Sequence, residues 1–240
     1  MNECVEGDAR SAGTYGRALR GEKAALLLTD PPYCLLVRRR KGGDLRDKRQ
    51  GVKIDRDPVV RFEDVRAYRK FTEEWLPQAV ACLAPGAPLL IWTNFLGKEP
   101  IVTAARALGY GAPAAEFIWA KGEARLGGSE HTLRVYEVAL VLLRESLPPL
   151  GPGEPPRVSS VVAGYDDDGE AERWGSHPNH KPFRVLEPLL RAHSRPGDLV
   201  LDPFAGSGSI PAAALRLSRR AACSEIDPAF AALVTRRLQG

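Results

Sequence analysis

Asp198-Leu199-Val200-Leu201-Asp202-Pro203-Phe204-Ala205-Gly206-Ser207-Gly208-Ser209 is the stretch that decides the fold. A short apolar run ends in an acidic residue and a Gly-rich turn, and the alanine-rich segment from about Ile210 reads as a helix. Gly206 and Gly208 lack Cβ atoms, so the backbone can turn tightly and approach a ligand while the helix presents its N-terminus. The next strand-like run, Ala221-Ala222-Cys223-Ser224, ends in Glu225, where a ribose-binding carboxylate would lie. Together these residues form half of a nucleotide-like cofactor site. A dinucleotide is disfavoured, because GxGxxG needs a third glycine and Gly208 is followed by Ser209, Ile210 and Pro211.

Far upstream, the apolar run Ala24-Ala25-Leu26-Leu27-Leu28-Thr29 leads into Asp30-Pro31-Pro32-Tyr33. An exocyclic amine on adenine or cytosine is a poor nucleophile, since its lone pair is delocalised into the ring. A carboxylate and a backbone carbonyl that accept its two N–H bonds favour a pyramidal nitrogen with an available lone pair. Asp30 and the Pro31 carbonyl can do this. The prolines fix φ and hold that carbonyl in place, while Tyr33 offers a face on which an extruded base can stack. The bland alternative is a Pro-Pro turn closing a strand beside a packing tyrosine. A place at a strand's carboxyl end, together with the Gly-rich turn, favours function, because open α/β sheets bind ligands at that edge.

The 240 residues fit one α/β domain, and the net charge of +4 is compatible with a polyanionic partner without requiring one. Apolar runs at about 2–6, 24–29, 87–93, 114–121, 135–144, 198–202 and 221–226 read as seven strands. Helix-like stretches between several of them predict a mainly parallel sheet covered on both faces. Glu63–Leu83 has helical periodicity with Pro77 as a candidate kink, and Pro85-Gly86 stops it. The whole chain, 1–240, is expected to be one domain. It carries a basic loop at about 34–62 and an excursion at about 145–176 that is rich in Pro and Gly. Arg38–Arg61 alone holds ten basic and four acidic residues, a net of +6. Arg38, Arg39, Arg40 and Lys41 beside Tyr33 are therefore candidate phosphate contacts, against the alternative of a solvated charged loop.

The N-terminus lacks a leader-like pattern, and no segment approaches a membrane span. Cys4, Cys34, Cys82 and Cys223 are scattered without a CxxC pair, so a reduced, soluble, cytoplasmic protein with no metal site is expected. His177 and His180 lack a completing ligand set and read as ordering a loop. Cys34 reads as a small packing residue.

Taken together, these motifs resemble the S-adenosylmethionine-dependent amino-methyltransferases of DNA, in the permuted β class whose catalytic motif precedes the cofactor motif. Gly7-Asp8 looks like the family's early element, where an acidic side chain meets the cofactor's adenine. Leu83-Ala84-Pro85-Gly86 and Leu89-Leu90-Ile91-Trp92-Thr93-Asn94 are similar to its next helix-turn-strand unit. The most specific likeness is His177-Pro178-Asn179-His180-Lys181-Pro182 leading into Pro196-Gly197-Asp198 and the cofactor turn, and Glu225-Ile226-Asp227-Pro228 looks like the acidic ribose motif.

The resemblance implies a Rossmann-like methyltransferase fold with a circularly permuted motif order, and S-adenosyl-L-methionine as cofactor. Asp30, Pro31, Pro32 and Tyr33 would be catalytic. Asp8, Asp30, Lys181, Asp202, Pro203, Phe204, Ala205, Gly206, Ser207, Gly208, Ser209 and Glu225 would bind the cofactor. The implied partner is double-stranded DNA, methylated in a restriction-modification setting by an enzyme specific for adenine N6 or cytosine N4. Adenine is the first choice, and a homodimer is open. The rival readings are an RNA methyltransferase, which the leading Asp and the motif order disfavour, and a nucleic-acid-binding subunit without chemistry, which the intact tetrapeptide disfavours. Three departures from the family stand out, one being that the Arg-rich stretch after Tyr33 maps to no family motif. Pro188 falls inside the helix expected after Pro182, which implies a kink or a later start. The 145–176 excursion is short for a target-recognition region.

Overall fold

The computed structural model describes residues 3–37, 60–121, 136–144, 158–164, 169–174 and 180–240. Its strands are β1 Cys4–Glu6, β2 Leu26–Thr29, β3 Leu89–Thr93, β4 Ala115–Ala120, β5 Tyr136–Leu142, β6 Val161–Ala163, β7 Leu199–Asp202 and β8 Arg220–Glu225. They form one sheet in the order β1-β8-β7-β2-β3-β5-β4-β6. All four residues of the Leu-rich β2 are buried. Successive side chains of a strand point to opposite faces. Accordingly Leu27 packs on one face with Leu89, Ile91 and Leu201, while Leu26 and Leu28 pack on the other with Leu90, Trp92 and Val200. A continuous apolar run is what a strand covered on both sides requires.

The first face is covered by α1 Ala12–Leu19, α2 Val65–Ala81 and α3 Lys98–Ala107, which contribute Tyr15, Trp75, Leu76 and Ile101. The second is covered by α5 Phe183–His193 and α6 Ser209–Arg216 through Leu186, Leu190, Ile210 and Ala214. The terminal helix α7, Pro228–Gln239, packs Val234 and Leu238 with Cys4 and Cys223 beside β1 and β8. Each fully buried Leu, Ile or Val contributes about 1.5–3 kcal/mol. Short polar caps fix where two of the helices begin. Asp64 accepts from Ala67 N at 2.8 Å ahead of α2, and Asp227 accepts from Ala229 N at 2.8 Å ahead of α7, where Pro228 takes the first position.

One sequence expectation is corrected and two are sharpened. The sheet has eight strands rather than seven. Val161–Ala163 lies in the Pro/Gly-rich excursion, yet it pairs in parallel with Ile118–Ala120 of β4. Three residues are too few for a periodic signal. The sheet is mainly parallel, as expected, with β5 running antiparallel to both β3 and β4. Finally, the later helix start that Pro188 left open does not occur. α2 runs through Pro77, and α5 begins at Phe183 and runs through Pro188. The excursion also contains the short helix α4, Glu170–Trp174. No described helix is long and apolar enough to cross a membrane.

Candidate functional site

β2 and β7 are parallel neighbours, with Leu26 beside Val200 and Leu27 beside Leu201. Their carboxyl ends therefore emerge at one edge of the sheet and bring Asp30 next to Asp202. Thr29 Oγ1 donates to Asp202 Oδ1 at 2.7 Å, and the Phe204 amide donates to the same oxygen at 3.2 Å. Asp202 is 1% exposed, and its Oδ2 is buried without a partner. Burial raises its pKa to about 7 against the opposing hydrogen bonds, and the negative charges of Asp30 and Glu225 add to the rise.

The turn that follows is held by backbone geometry. Gly206 and Gly208 have φ of 52° and 77°, and a Cβ on Gly208 would lie 3.0 Å from Val234 Cγ1. The Ala205 amide donates to Ser224 O at 3.0 Å, which anchors the turn to β8, and the Gly206 amide donates to Glu225 Oε2 at 2.8 Å. Glu225 Oε1 accepts from the Asp227 amide at 3.0 Å. Ser207 lies 3.4 Å from His180 Nδ1 through its hydroxyl, and its carbonyl accepts from Arg237 Nη1 at 2.8 Å. Pro203 O accepts from Ser224 Oγ at 3.3 Å, and the Phe204 ring meets Trp75 edge-on at 5.1 Å. Ser209 opens α6. Asp8 lies just past β1, where its carboxylate accepts from Arg10 Nη2 at 2.6 Å and its pKa is lowered by that bond.

The tetrapeptide opens onto a buried group of charges. Lys181 Nζ donates to Asp30 Oδ2 at 2.5 Å, lies 3.2 Å from Glu137 Oε2 and 3.3 Å from Tyr33 Oη, and sits 4.8 Å from the centre of the Trp92 ring. The Tyr33 hydroxyl donates to Glu137 Oε2 at 2.9 Å, and Lys121 bonds Glu137 Oε1 while lying over Trp119. Burial opposes the Lys181 charge, but Asp30 and Glu137 outweigh it and raise its pKa. Burial would likewise raise Glu137, but the two lysines and the hydrogen bonds bring it down to about 2. Burial raises Asp30, with Lys181 opposing and Glu137 adding, and its Oδ1 is buried without a partner. Pro31 is buried and Tyr33 half-buried. Asn94 at the end of β3 braces the segment. Its Nδ2 donates to Cys34 O and its Oδ1 accepts from Gly97 N, both at 3.0 Å.

Of the residues singled out from sequence, the structure brings the tetrapeptide, Lys181 and the 202–209 turn to one edge. Lys181 faces Asp30 and not the Gly-rich turn. Arg38, Arg39, Arg40, Lys41 and His177 lie outside the described residues. Cys34 is buried in the core face of α2, and burial pushes its thiol up to about 11. Glu137, Lys121 and Asn94 were not legible as site residues. The available signal for Glu137 was a lone carboxylate inside the apolar run 135–144, since charged side chains are seldom buried unpaired.

Residues 24–236 match the family described as DNA methylase, the N6/N4 methyltransferase group. The chain is 37% identical over 71 residues to type II methyltransferase M2.DpnII of Streptococcus pneumoniae, a match covering 29% of this chain and 26% of that relative. It is 26% identical over 228 residues to YubD of Escherichia coli K12, covering 92% and 82% respectively. Among solved structures, the M1.HpyAVI–SAM complex superposes with a TM-score of 0.72 at 17% identity, with all of both chains covered. A Thermus thermophilus protein solved with S-adenosyl-L-methionine has a TM-score of 0.62 at 24% identity, covering 100% of this chain and 96% of that one. PvuII DNA methyltransferase, cytosine-N4-specific, has 0.68 at 16%, covering 99% and 86%. At these identities the structural likenesses show the fold.

Proposed function

The chain belongs to the DNA methylase family of adenine-N6 and cytosine-N4 amino-methyltransferases, and from that membership we propose that it methylates the exocyclic amine of a base in double-stranded DNA, adenine N6 first. The observation that carries this reading is the pairing of Asp30 with Asp202 at the ends of adjacent strands, tied through Thr29. Each has one buried carboxylate oxygen without a partner.

S-adenosyl-L-methionine, when bound, supplies an electrophilic methyl group on a sulfonium. The residues present fit it. Asp202 Oδ2 is an orphan acceptor for an ammonium group, and Gly206 and Gly208 let the backbone approach. Glu225 retains acceptor capacity for ribose hydroxyls at the end of β8, and Asp8 stands one strand further out. Asp30 would accept one N–H of the target amine and the Pro31 carbonyl the other, which localises the nitrogen lone pair for attack. Asp30 is also placed to take up the proton that the methylated nitrogen releases. Tyr33 would stack on the extruded base. The tetrapeptide of β2 precedes the turn of β7 in the chain, which supports a permuted motif order. The basic stretch around Arg38–Lys41 would add phosphate contacts within a single domain.

Labelled-methyl transfer to duplex DNA, single-stranded DNA and RNA, followed by nucleoside analysis, tests the reading. N6-methyladenine in duplex DNA is expected. N4-methylcytosine would replace the base assignment. Methyl transfer to RNA alone, or cofactor binding without transfer to any nucleic acid, would overturn the DNA assignment.

A further inference from the structure

Glu137 stands on β5 among apolar neighbours, two strands from β2, and its side chain is 10% exposed. Val138, Ala139, Leu140 and Val141 supply the packing of that strand. The carboxylate serves three partners instead. It accepts the Tyr33 hydroxyl at 2.9 Å and the Lys181 ammonium at 3.2 Å on Oε2, and it pairs with Lys121 through Oε1. Asp30, Glu137, Lys121 and Lys181 thus make a buried set with no net charge. Buried ion pairs add little net stability to a fold, because desolvation offsets their attraction. Their grouping on the tetrapeptide therefore points to the chemistry there.

We propose that Glu137 is a positioning residue for methyl transfer: it fixes the Tyr33 ring through its hydroxyl and shares the Lys181 ammonium with Asp30. The inference rests on Asp30–Tyr33 being the amine-binding tetrapeptide. The Tyr33 ring turns about its side-chain bonds unless its far end is held, and Glu137 at 2.9 Å holds the hydroxyl more closely than Lys181 at 3.3 Å. Lys181 also sits on the carboxylate that must receive the base amine. With Glu137 neutral, the set carries one excess positive charge, and Lys181 rests on Asp30 alone, in competition with the incoming amine.

The test compares wild type, Glu137→Gln, Glu137→Ala, Tyr33→Phe and the Glu137→Gln/Tyr33→Phe double variant. The readouts are melting temperature, affinity for S-adenosyl-L-methionine, and kcat and KM with duplex DNA. Glu137→Gln is expected to fold with a lowered melting temperature and to bind cofactor as wild type does while kcat falls about tenfold to a hundredfold. The double variant should lose less than the product of its two single losses, because both act on one contact. Should the alanine variant not fold, the glutamine isostere still decides the matter. An unchanged kcat in Glu137→Gln, or losses that multiply independently, would overturn the proposal while leaving the methyltransferase reading intact. No transfer to DNA by the wild type would overturn that reading and this inference with it.

Discussion

Thr29 and Asp202 are 173 residues apart in the chain and 2.7 Å apart at their oxygens, and this bond joins the two halves of the site. It leaves Asp202 with one oxygen satisfied and one buried and unpartnered.

That asymmetry sets a pH dependence. Burial lifts Asp202 from 3.8 to about 7, so between these values the folded protein holds a proton that the unfolded chain has lost. Its contribution to stability therefore falls as pH rises through that window and levels off above it. A cationic ligand group binds the ionised form. Affinity for S-adenosyl-L-methionine should accordingly strengthen about tenfold from pH 6 to pH 8, with proton release seen by calorimetry in buffers of different ionisation enthalpy. Asp202→Asn should weaken binding and flatten the profile.

Asp30→Ala should keep cofactor binding and abolish methyl transfer, since Asp202 and the Gly-rich turn are unaltered while the amine loses its acceptor. A loss of about a hundredfold or more in kcat is the expected scale for a group that stabilises the transition state. Normal turnover in this variant would refute the role given to Asp30.

Gly208→Ala is expected to cost about 1–2 kcal/mol from the positive φ alone, and more from contact with Val234. Chemical denaturation measures the first cost and cofactor titration the displacement of the turn. Adding Val234→Ala should relieve the contact and leave the conformational cost in place.

Lys181→Met removes the cation shared by Asp30 and Glu137. Breaking such a buried set typically costs about 3–5 kcal/mol. Glu137 is held down to about 2 chiefly by Lys181 and Lys121, so its stabilisation is present above its ordinary 4.5 and lost towards pH 2. Without Lys181 the carboxylates take up protons more readily. The stability gap between variant and wild type should therefore narrow as pH falls from 7 towards 4, as urea titrations would show.

Neutralising Arg38, Arg39 and Arg40 together should weaken DNA binding and reduce the slope of log affinity against log salt by up to about 3. Binding that is unchanged across a salt series would show that these residues make no phosphate contacts.

Much of this was legible in the sequence because it is local. Leu26–Thr29 reads as a buried strand from four residues, and 202–209 reads as a ligand turn because only glycine suits its left-handed positions. Seven strands announce themselves in this way. The eighth, Val161–Ala163, exists because β4 offers it a free edge, which is a property of β4's neighbourhood and not of three residues. The same limit hid Glu137. Its partners Tyr33, Lys121 and Lys181 come from three separate parts of the chain, so no spacing records them. Lys181 was visible as a motif residue, but its facing Asp30 depends on where α5 begins.

The order of the sheet also sets when a growing chain first acquires its site. β2 finds β3 early, but its other neighbour β7 ends at Asp202, and the anchor of the Gly-rich turn on β8 ends at Glu225. At ordinary rates of synthesis the tetrapeptide waits roughly ten to forty seconds for those residues to emerge. Until then a ribosome-bound fragment has Asp30 but neither the Thr29–Asp202 bond nor Lys181 beside it, so the binding edge is complete only once Glu225 has emerged.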